Sequence, residues 1–234
     1  MDREKFLIKK INRGEIYEQE DLAAIEESFT VMIKNGSCWN MNCTPENLEE
    51  LTLGALFSRG YIENADQVLY LTIDRSEKKI LVELSKKQSD SDGLITEVEH
   101  SGYPEKEEQE EIFRMAEEIF EKPGRLFQET GCAHCCAWVK NGKIVCSFED
   151  IGRHNALDKV IGYALKEKIS LSEGTLYTSG RISGDYLQKV IRAGVRTVVS
   201  RAAVTSQAIE EARKSGIRMM GFVRKNSGNI YSGL

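Results

Sequence analysis

Proline and histidine are scarce, with three of each in 234 residues. So little proline argues against long rigid linkers. No apolar run approaches the roughly 20 residues a membrane-spanning helix requires, so no transmembrane segment is expected. Met1 to Arg13 mixes Asp2, Glu4 and several lysines with too short an apolar stretch for a secretory leader, and the expected location is the cytoplasm. Positive charge is not in excess either. A net charge of −5 argues against a general nucleic-acid binder, while leaving room for local basic sites. Neither a GxGxxG fingerprint nor a P-loop is present, and the H-x-E and P-C-x-x-C pair of zinc deaminases is missing.

What is there suits a soluble α/β protein: 41% hydrophobic and 29% charged residues, enough for one large domain or a domain with a small appendage. The stretch to Glu26 is charged and expected to be peripheral. Ser28 to Lys34 and Cys38 to Asn42 read as strands joined at Asn35-Gly36, a dipeptide suited to a tight turn. Thr44-Pro45-Glu46 reads as a helix start, followed by Leu48, Leu51, Ala55 and Leu56 at helical spacing and closed by Gly60. Gln67 to Ile73 and Lys79 to Leu84 form a further strand pair, and Lys86 to Gly93 a polar exposed loop. Pro104 to Glu121 predicts an acidic, largely solvated helix with a narrow apolar stripe of Ile112, Met115, Ala116 and Ile119, broken at Pro123-Gly124.

The second half alternates. Cys132 to Lys140 and Lys143 to Phe148 predict a hairpin, and a helix begins near His154. Then come strand Thr175–Ser179, helix Asp185–Arg192, strand Thr197–Ser200, helix Ser206–Lys214 and strand Arg218–Val223. Such alternation predicts parallel βαβ units with helices covering the sheet. The expected division is an N-terminal α+β part over 1–103 and an α/β core over 104–234.

Arginine recurs at the carboxyl ends of these strands, where parallel α/β sheets bind ligands: Arg153, Arg181, Arg201 and Arg224. Guanidinium forks converging there suit phosphate. Ser179-Gly180-Arg181-Ile182-Ser183-Gly184 opens a helix whose backbone amides could receive it. Taken singly, each arginine could equally cap a helix or pair with an acid. Gly152-Arg153-His154-Asn155-Ala156-Leu157-Asp158-Lys159 packs five polar side chains at a helix start, with Asp158 and Lys159 one turn on, able to reach the same mouth or each other.

Three of the six cysteines fall within five residues, in Thr130-Gly131-Cys132-Ala133-His134-Cys135-Cys136. Thiolates attack sulfur or bind metal, so Cys132, Cys135 and Cys136 are candidates for a persulfide or for a redox disulfide. Zinc held by Cys132 and Cys135 with His134 or Cys146 is a third reading, although Cys38 and Cys43 offer no second CxxC. The fourth is a strand with small buried residues. Alternation would place Cys132, His134, Cys136 and Trp138 on one face and Ala133, Cys135, Ala137 and Val139 on the other, separating Cys132 from Cys135 unless the backbone bends.

Together, Thr130 to His134, Glu149 to Lys159, Ser179-Gly180-Arg181 and Gly221-Phe222-Val223-Arg224 resemble the formate dehydrogenase accessory sulfurtransferase family, FdhD. Asn35-Gly36, Thr44 to Leu51 and Gly54 add to the likeness, which covers roughly residues 25 to 231. The resemblance implies a cytidine-deaminase-like three-layer α/β fold with helices on both faces of the sheet, as a homodimer. It implies a sulfur carrier that takes persulfide sulfur from a cysteine desulfurase. The carrier delivers that sulfur to the bis-guanine-dinucleotide molybdenum or tungsten pterin of formate dehydrogenase. A chaperone that binds the cofactor without transferring sulfur is the alternative. The candidate persulfide sites in this chain are Cys132, Cys135 and Cys136. The candidate cofactor-binding residues are Arg153, His154, Asn155, Asp158 and Lys159, then Ser179, Arg181 and Ser183, read from the strand ends and the polar run. The resemblance adds Phe222, Val223, Arg224, Lys225, Asn226 and Ser227 as the segment that contacts the cofactor. No tightly bound metal of its own is expected. Many family members carry a sulfur-bearing CxxC before the acidic helix, whereas this chain has no cysteine between Cys43 and Cys132.

Overall fold

A computed structural model describes residues 2–85 and 104–233. The expected loop from Lys86 to Gly93, and the thiol-free stretch up to Tyr103, lie outside the described residues. The chain opens on a hairpin, β1 (Arg3–Asn12) and β2 (Glu15–Ala24), turned at Arg13-Gly14 with both residues at positive φ. The stretch expected to be merely peripheral is therefore paired along its length. Its apolar residues fall on both faces, Phe6 and Tyr17 on one and Leu7, Ile11 and Ile16 on the other, and all five are exposed. A ribbon with no single buried side shows no alternation in its sequence.

Next come β3 (Glu27–Ile33) and β4 (Cys38–Cys43), helix α1 (Leu48–Ser58), and β5 (Val68–Asp74) with β6 (Lys79–Leu84). The four strands form one sheet in the order β4-β3-β6-β5, with β3 and β6 parallel. Helix α1 does not start at Thr44-Pro45-Glu46. It starts at Leu48, after Asn47 in the left-handed region. The Thr44 hydroxyl and amide donate to the Asp150 carboxylate at 2.9 and 3.3 Å, and a tertiary bond thus replaces the local cap.

The second half contains α2 (Lys106–Glu121), α3 (Arg125–Thr130), β7 (His134–Lys140), β8 (Lys143–Asp150), α4 (Arg153–Lys166), β9 (Thr175–Thr178) and α5 (Gly184–Arg192). It closes with β10 (Thr197–Ser200), α6 (Ser206–Lys214), β11 (Arg218–Arg224) and β12 (Ser227–Ser232). Six of these strands form a mixed sheet ordered β12-β11-β10-β9-β7-β8. Strands β9, β10 and β11 are parallel, as the alternation predicts; β7 runs antiparallel to both β8 and β9.

The sheet is covered on both faces. Ile112, Met115, Ala116, Ile119 and Phe120 of α2 pack on Cys135, Ala137, Val139, Tyr177 and Val199. On the other face, Leu157 and Val160 of α4, Leu187 and Val190 of α5, and Ala208 and Ala212 of α6 meet Cys136, Trp138, Leu176 and Val198. That same cluster takes in Leu51 and Leu56 of α1 and Phe29, Val31, Ile80 and Val82 of the smaller sheet, so the core continues across residue 103. Helices α1 and α4 approach to backbone contact. A Cβ on Gly54 would overlap the Asp158 carbonyl, and one on Gly162 the Glu50 carbonyl.

Candidate functional site: a thiol at a cationic sheet edge

Topology brings the informative residues to one edge. Because β7 opposes β8 and β9, its first residue sits where its neighbours end: His134 pairs with Asp150, and Cys136 with Thr178. Ser200, the last residue of β10, aligns with Thr178 in turn. Cys132 thus emerges at the edge where Arg153, Arg181, Arg201 and Arg224 follow or end their strands.

Gly131, in the left-handed region at φ +67°, caps α3 and turns the chain, leaving Cys132 exposed just outside the strand ladder. The Cys132 amide donates to Thr130 Oγ1 at 3.1 Å. From His134 onward the predicted alternation holds. Cys135 packs with the α2 side and Cys136 with the α4 side. Both are buried. The Cys135 amide donates to Ser179 Oγ at 2.9 Å, its Sγ lies 3.3 Å from Ser147 Oγ, and burial pushes its thiol up to about 11. Cys136 has no exposed surface and lies 3.7 Å from the Tyr186 hydroxyl, with its pKa raised well above the ordinary thiol value by burial. Burial likewise raises Cys43 and Cys146 to about 12. Cys132 is the member of the cluster open to a partner.

A cavity of about 570 Å³ adjoins it, lined by Ile119, Phe120 and Phe127 on its apolar side and by Cys132, His134 and Cys135 at the strand start. The backbone bend before His134 therefore brings Cys132 and Cys135 to one cavity, although alternation alone would part them. Burial lowers the His134 pKa below the ordinary 6.5, and the Arg153 and Arg181 charges lower it further, so the imidazole is neutral at pH 7. The apolar wall was not legible in the sequence, because α3 spans only six residues and Phe120 and Phe127 flank the Pro123-Gly124 break.

The four arginines share the edge but do unequal work. Arg153 packs over Gly180, where a Cβ would crowd the arginine side chain; its Nη2 donates to Ser183 Oγ at 3.3 Å. The Arg153 Nε is buried and has no partner among the described residues. Arg181 is exposed beside it. Arg201 donates to the Phe120 carbonyl at 2.6 Å and pairs with Glu121 at 3.3 Å. Arg224 donates to the Arg201 and Val223 carbonyls. Arg153 and Arg181 thus form the less committed pair, on the His134 side.

Other candidates go elsewhere. His154, Asn155 and Asp158 line a separate cavity of about 310 Å³ with Trp39, Arg59, Asp185 and Lys189. His154 Nε2 lies 3.3 Å from Asp185, and burial and then Lys189 lower its pKa. Asn155 donates to the Asn42 carbonyl and Asp150. Asp158 and Lys159 were expected at the mouth or paired with each other, and the structure corrects both expectations. Asp158 accepts from Ser58 at 2.7 Å and Lys189 at 2.6 Å. Lys159 is fully buried against Asp150, Thr44 and the Glu149 carbonyl, so it lines no mouth. Ser179 is tied to Cys135, and Ser183 donates to Asp185.

In the last segment, a bulge places Phe222 at φ +54° with its ring half exposed. Val223 is fully buried in the α2-side core, which corrects its expected position at the mouth. Lys225 pairs with Glu117 at 3.1 Å, Asn226 lies in the turn, and Ser227 pairs with Arg224 as β12 returns. Among the described residues, no group of three or more His, Cys, Asp and Glu is placed to hold a metal ion. Nor is any described helix long and apolar enough to cross a membrane.

Fold and edge together define a three-layer α/β protein with an exposed thiol and strand-end arginines along one edge of its larger sheet. The FdhD/NarQ family profile matches residues 24–234, and the chain belongs to that family. A protein from Bacillus licheniformis named sulfur carrier protein FdhD is 32% identical, covering 96% of this chain and 93% of its own. One of the same name from Sulfolobus acidocaldarius is also 32% identical, covering 99% and 97%. A crystal structure from Desulfotalea psychrophila, described as a candidate formate dehydrogenase accessory protein, superimposes with a TM-score of 0.84 at 25% identity, over 99% of this chain and 97% of that one.

Proposed function

We propose that this protein is a sulfur carrier of formate dehydrogenase maturation and that Cys132 carries the sulfur. A cysteine desulfurase presents a persulfide. The Cys132 thiolate attacks its terminal sulfur, a new S–S bond forms on Cys132, and the donor cysteine leaves as a thiolate. The client is the molybdenum or tungsten pterin bearing two guanine dinucleotides, which this protein then supplies to formate dehydrogenase. The work is cytoplasmic. The observation that carries the reading is the placement of an exposed thiol on the edge that also bears Arg153, Arg181, Arg201 and Arg224.

The residues present fit a phosphorylated client. Arg153 keeps a buried, unpartnered Nε among the described residues, and Arg181 stands exposed on the same edge. A homodimer is part of the proposal, supported by the β1–β2 ribbon. Two strands alone are marginally stable in water, and this ribbon exposes Phe6, Leu7, Ile11, Ile16 and Tyr17. The burial of Cys135 and Cys136 favours one competing reading, a chaperone that binds the cofactor without carrying sulfur.

Cyanide-releasable sulfur after incubation with a desulfurase and cysteine decides between them. About one sulfur per wild-type chain and none on Cys132→Ala supports the carrier. Equal loading of both proteins overturns the role of Cys132, and no loading of either, with guanosine diphosphate still bound, leaves the chaperone.

A further inference from the structure

We infer that Cys135 is a resolving thiol: it attacks a persulfide held on Cys132, closes a Cys132–Cys135 disulfide and releases the carried sulfur as sulfide into the shared cavity. This rests on the carrier reading of Cys132. The chemistry gives a reason for a second thiol. Sulfur arrives at the sulfane level, and an acceptor that takes sulfide needs two further electrons. The wall of the cavity holds a thiol able to supply them.

The step balances. Cys135 Sγ attacks Cys132 Sγ, the bond from Cys132 to the outer sulfur breaks with its electron pair on the outer sulfur, and the Cys135 proton ends on the leaving group. One thiol and one persulfide become one disulfide and one hydrogen sulfide. Counted from the unloaded protein, two thiols are oxidised as the sulfane sulfur is reduced. A cellular dithiol then reduces the pair by ordinary exchange.

Three observations point to Cys135 rather than another thiol. Cys132 and Cys135 line one cavity, whereas Cys136 faces the α4 side, enclosed beside Tyr186. The ladder of β7 begins at His134, so the turn that carries Cys132 is not held by strand pairing. His134 lines the same cavity and can accept a proton. Burial keeps the Cys135 thiol protonated at neutral pH, with Ser147 as its neighbour, so the attack requires its proton to leave as the new bond forms, with His134 in the same cavity to receive it.

The test loads wild type, Cys135→Ala and Cys132→Ala with inorganic polysulfide, removes the excess, and follows intact mass and free sulfide. Wild type should pass from a gain of one sulfur to a loss of two hydrogens, releasing about one sulfide per chain. Cys135→Ala should load and keep its sulfur at least ~10-fold longer. Equal persistence in both proteins overturns the resolving role while leaving the carrier intact. Failure of wild type to load overturns the carrier reading itself. A second arm, free of that reading, treats the unloaded protein with diamide: peptide mapping should find Cys132 joined to Cys135, and an unbridged pair overturns the inference.

Discussion

The Lys159 ammonium lies 2.8 Å from the Asp150 carboxylate, and neither side chain reaches solvent. Thr44, the Gly152 amide and Asn155 complete the acid's partners, and Thr44 and the Glu149 carbonyl complete the lysine's. The pair ties the start of α4 and the end of β8 to the segment leading into α1, and so fixes the edge from which Arg153 projects. Lys159→Met leaves a buried carboxylate without its cation, a change that costs about 3–5 kcal/mol. Urea unfolding measures it. A loss below about 1 kcal/mol would show that the pair does not hold the edge.

Helices α1 and α4 meet at Gly54 and Gly162, each with a Cβ position already filled by the other helix's backbone. Gly54→Ala should therefore cost about 1–3 kcal/mol through forced separation, although alanine is the better helix former. Thermal unfolding of Gly54→Ala and Gly162→Ala checks this, and an unchanged or raised Tm in both contradicts the close approach.

His134 and His154 are both held below their ordinary pKa, chiefly by burial. The unfolded chain takes up these protons near pH 6.5, the folded chain only at lower pH, so acid favours unfolding over that window. Stability should be full above about pH 6.5 and fall as pH drops below it. Urea midpoints at pH 7.5 and 5.5 should converge in a His134→Asn/His154→Asn variant, and an undiminished gap places the acid sensitivity elsewhere.

Thiol labelling should follow exposure. Cys132 and Cys38 are open, whereas Cys43, Cys135 and Cys136 are buried. Mass-resolved reaction with iodoacetamide at pH 7.5 should modify Cys132 at least ~100-fold faster than Cys135 or Cys136, because only thiolate reacts and burial suppresses it. Comparable rates would mean that the start of β7 opens freely.

Much of this was readable from residues alone. Strand β10 and helix α6 match their expected bounds, and the two faces of β7 follow from simple alternation. Local pattern failed where a distant partner decided the outcome. Thr44 carries every mark of a helix cap, yet Asp150 claims its hydroxyl across the fold. Lys159 reads as a polar mouth residue until Asp150 draws it inside. Asp158 was readable as polar but not as the partner of Ser58 and Lys189 on two other helices. The β1–β2 ribbon and the short β12 lacked a one-sided apolar pattern, the signal a strand prediction needs.

The most direct measurement asks whether the thiol and the arginines share one mouth. Alkylation of Cys132 is timed with and without saturating guanosine diphosphate, with Cys38, exposed on the smaller sheet, as the internal reference. Slowing of Cys132 by at least ~5-fold with Cys38 unchanged, reversed by Arg153→Ala/Arg181→Ala, is the expected result. A nucleotide that binds yet leaves the Cys132 rate untouched would place the anion site away from the thiol and contradict the shared edge.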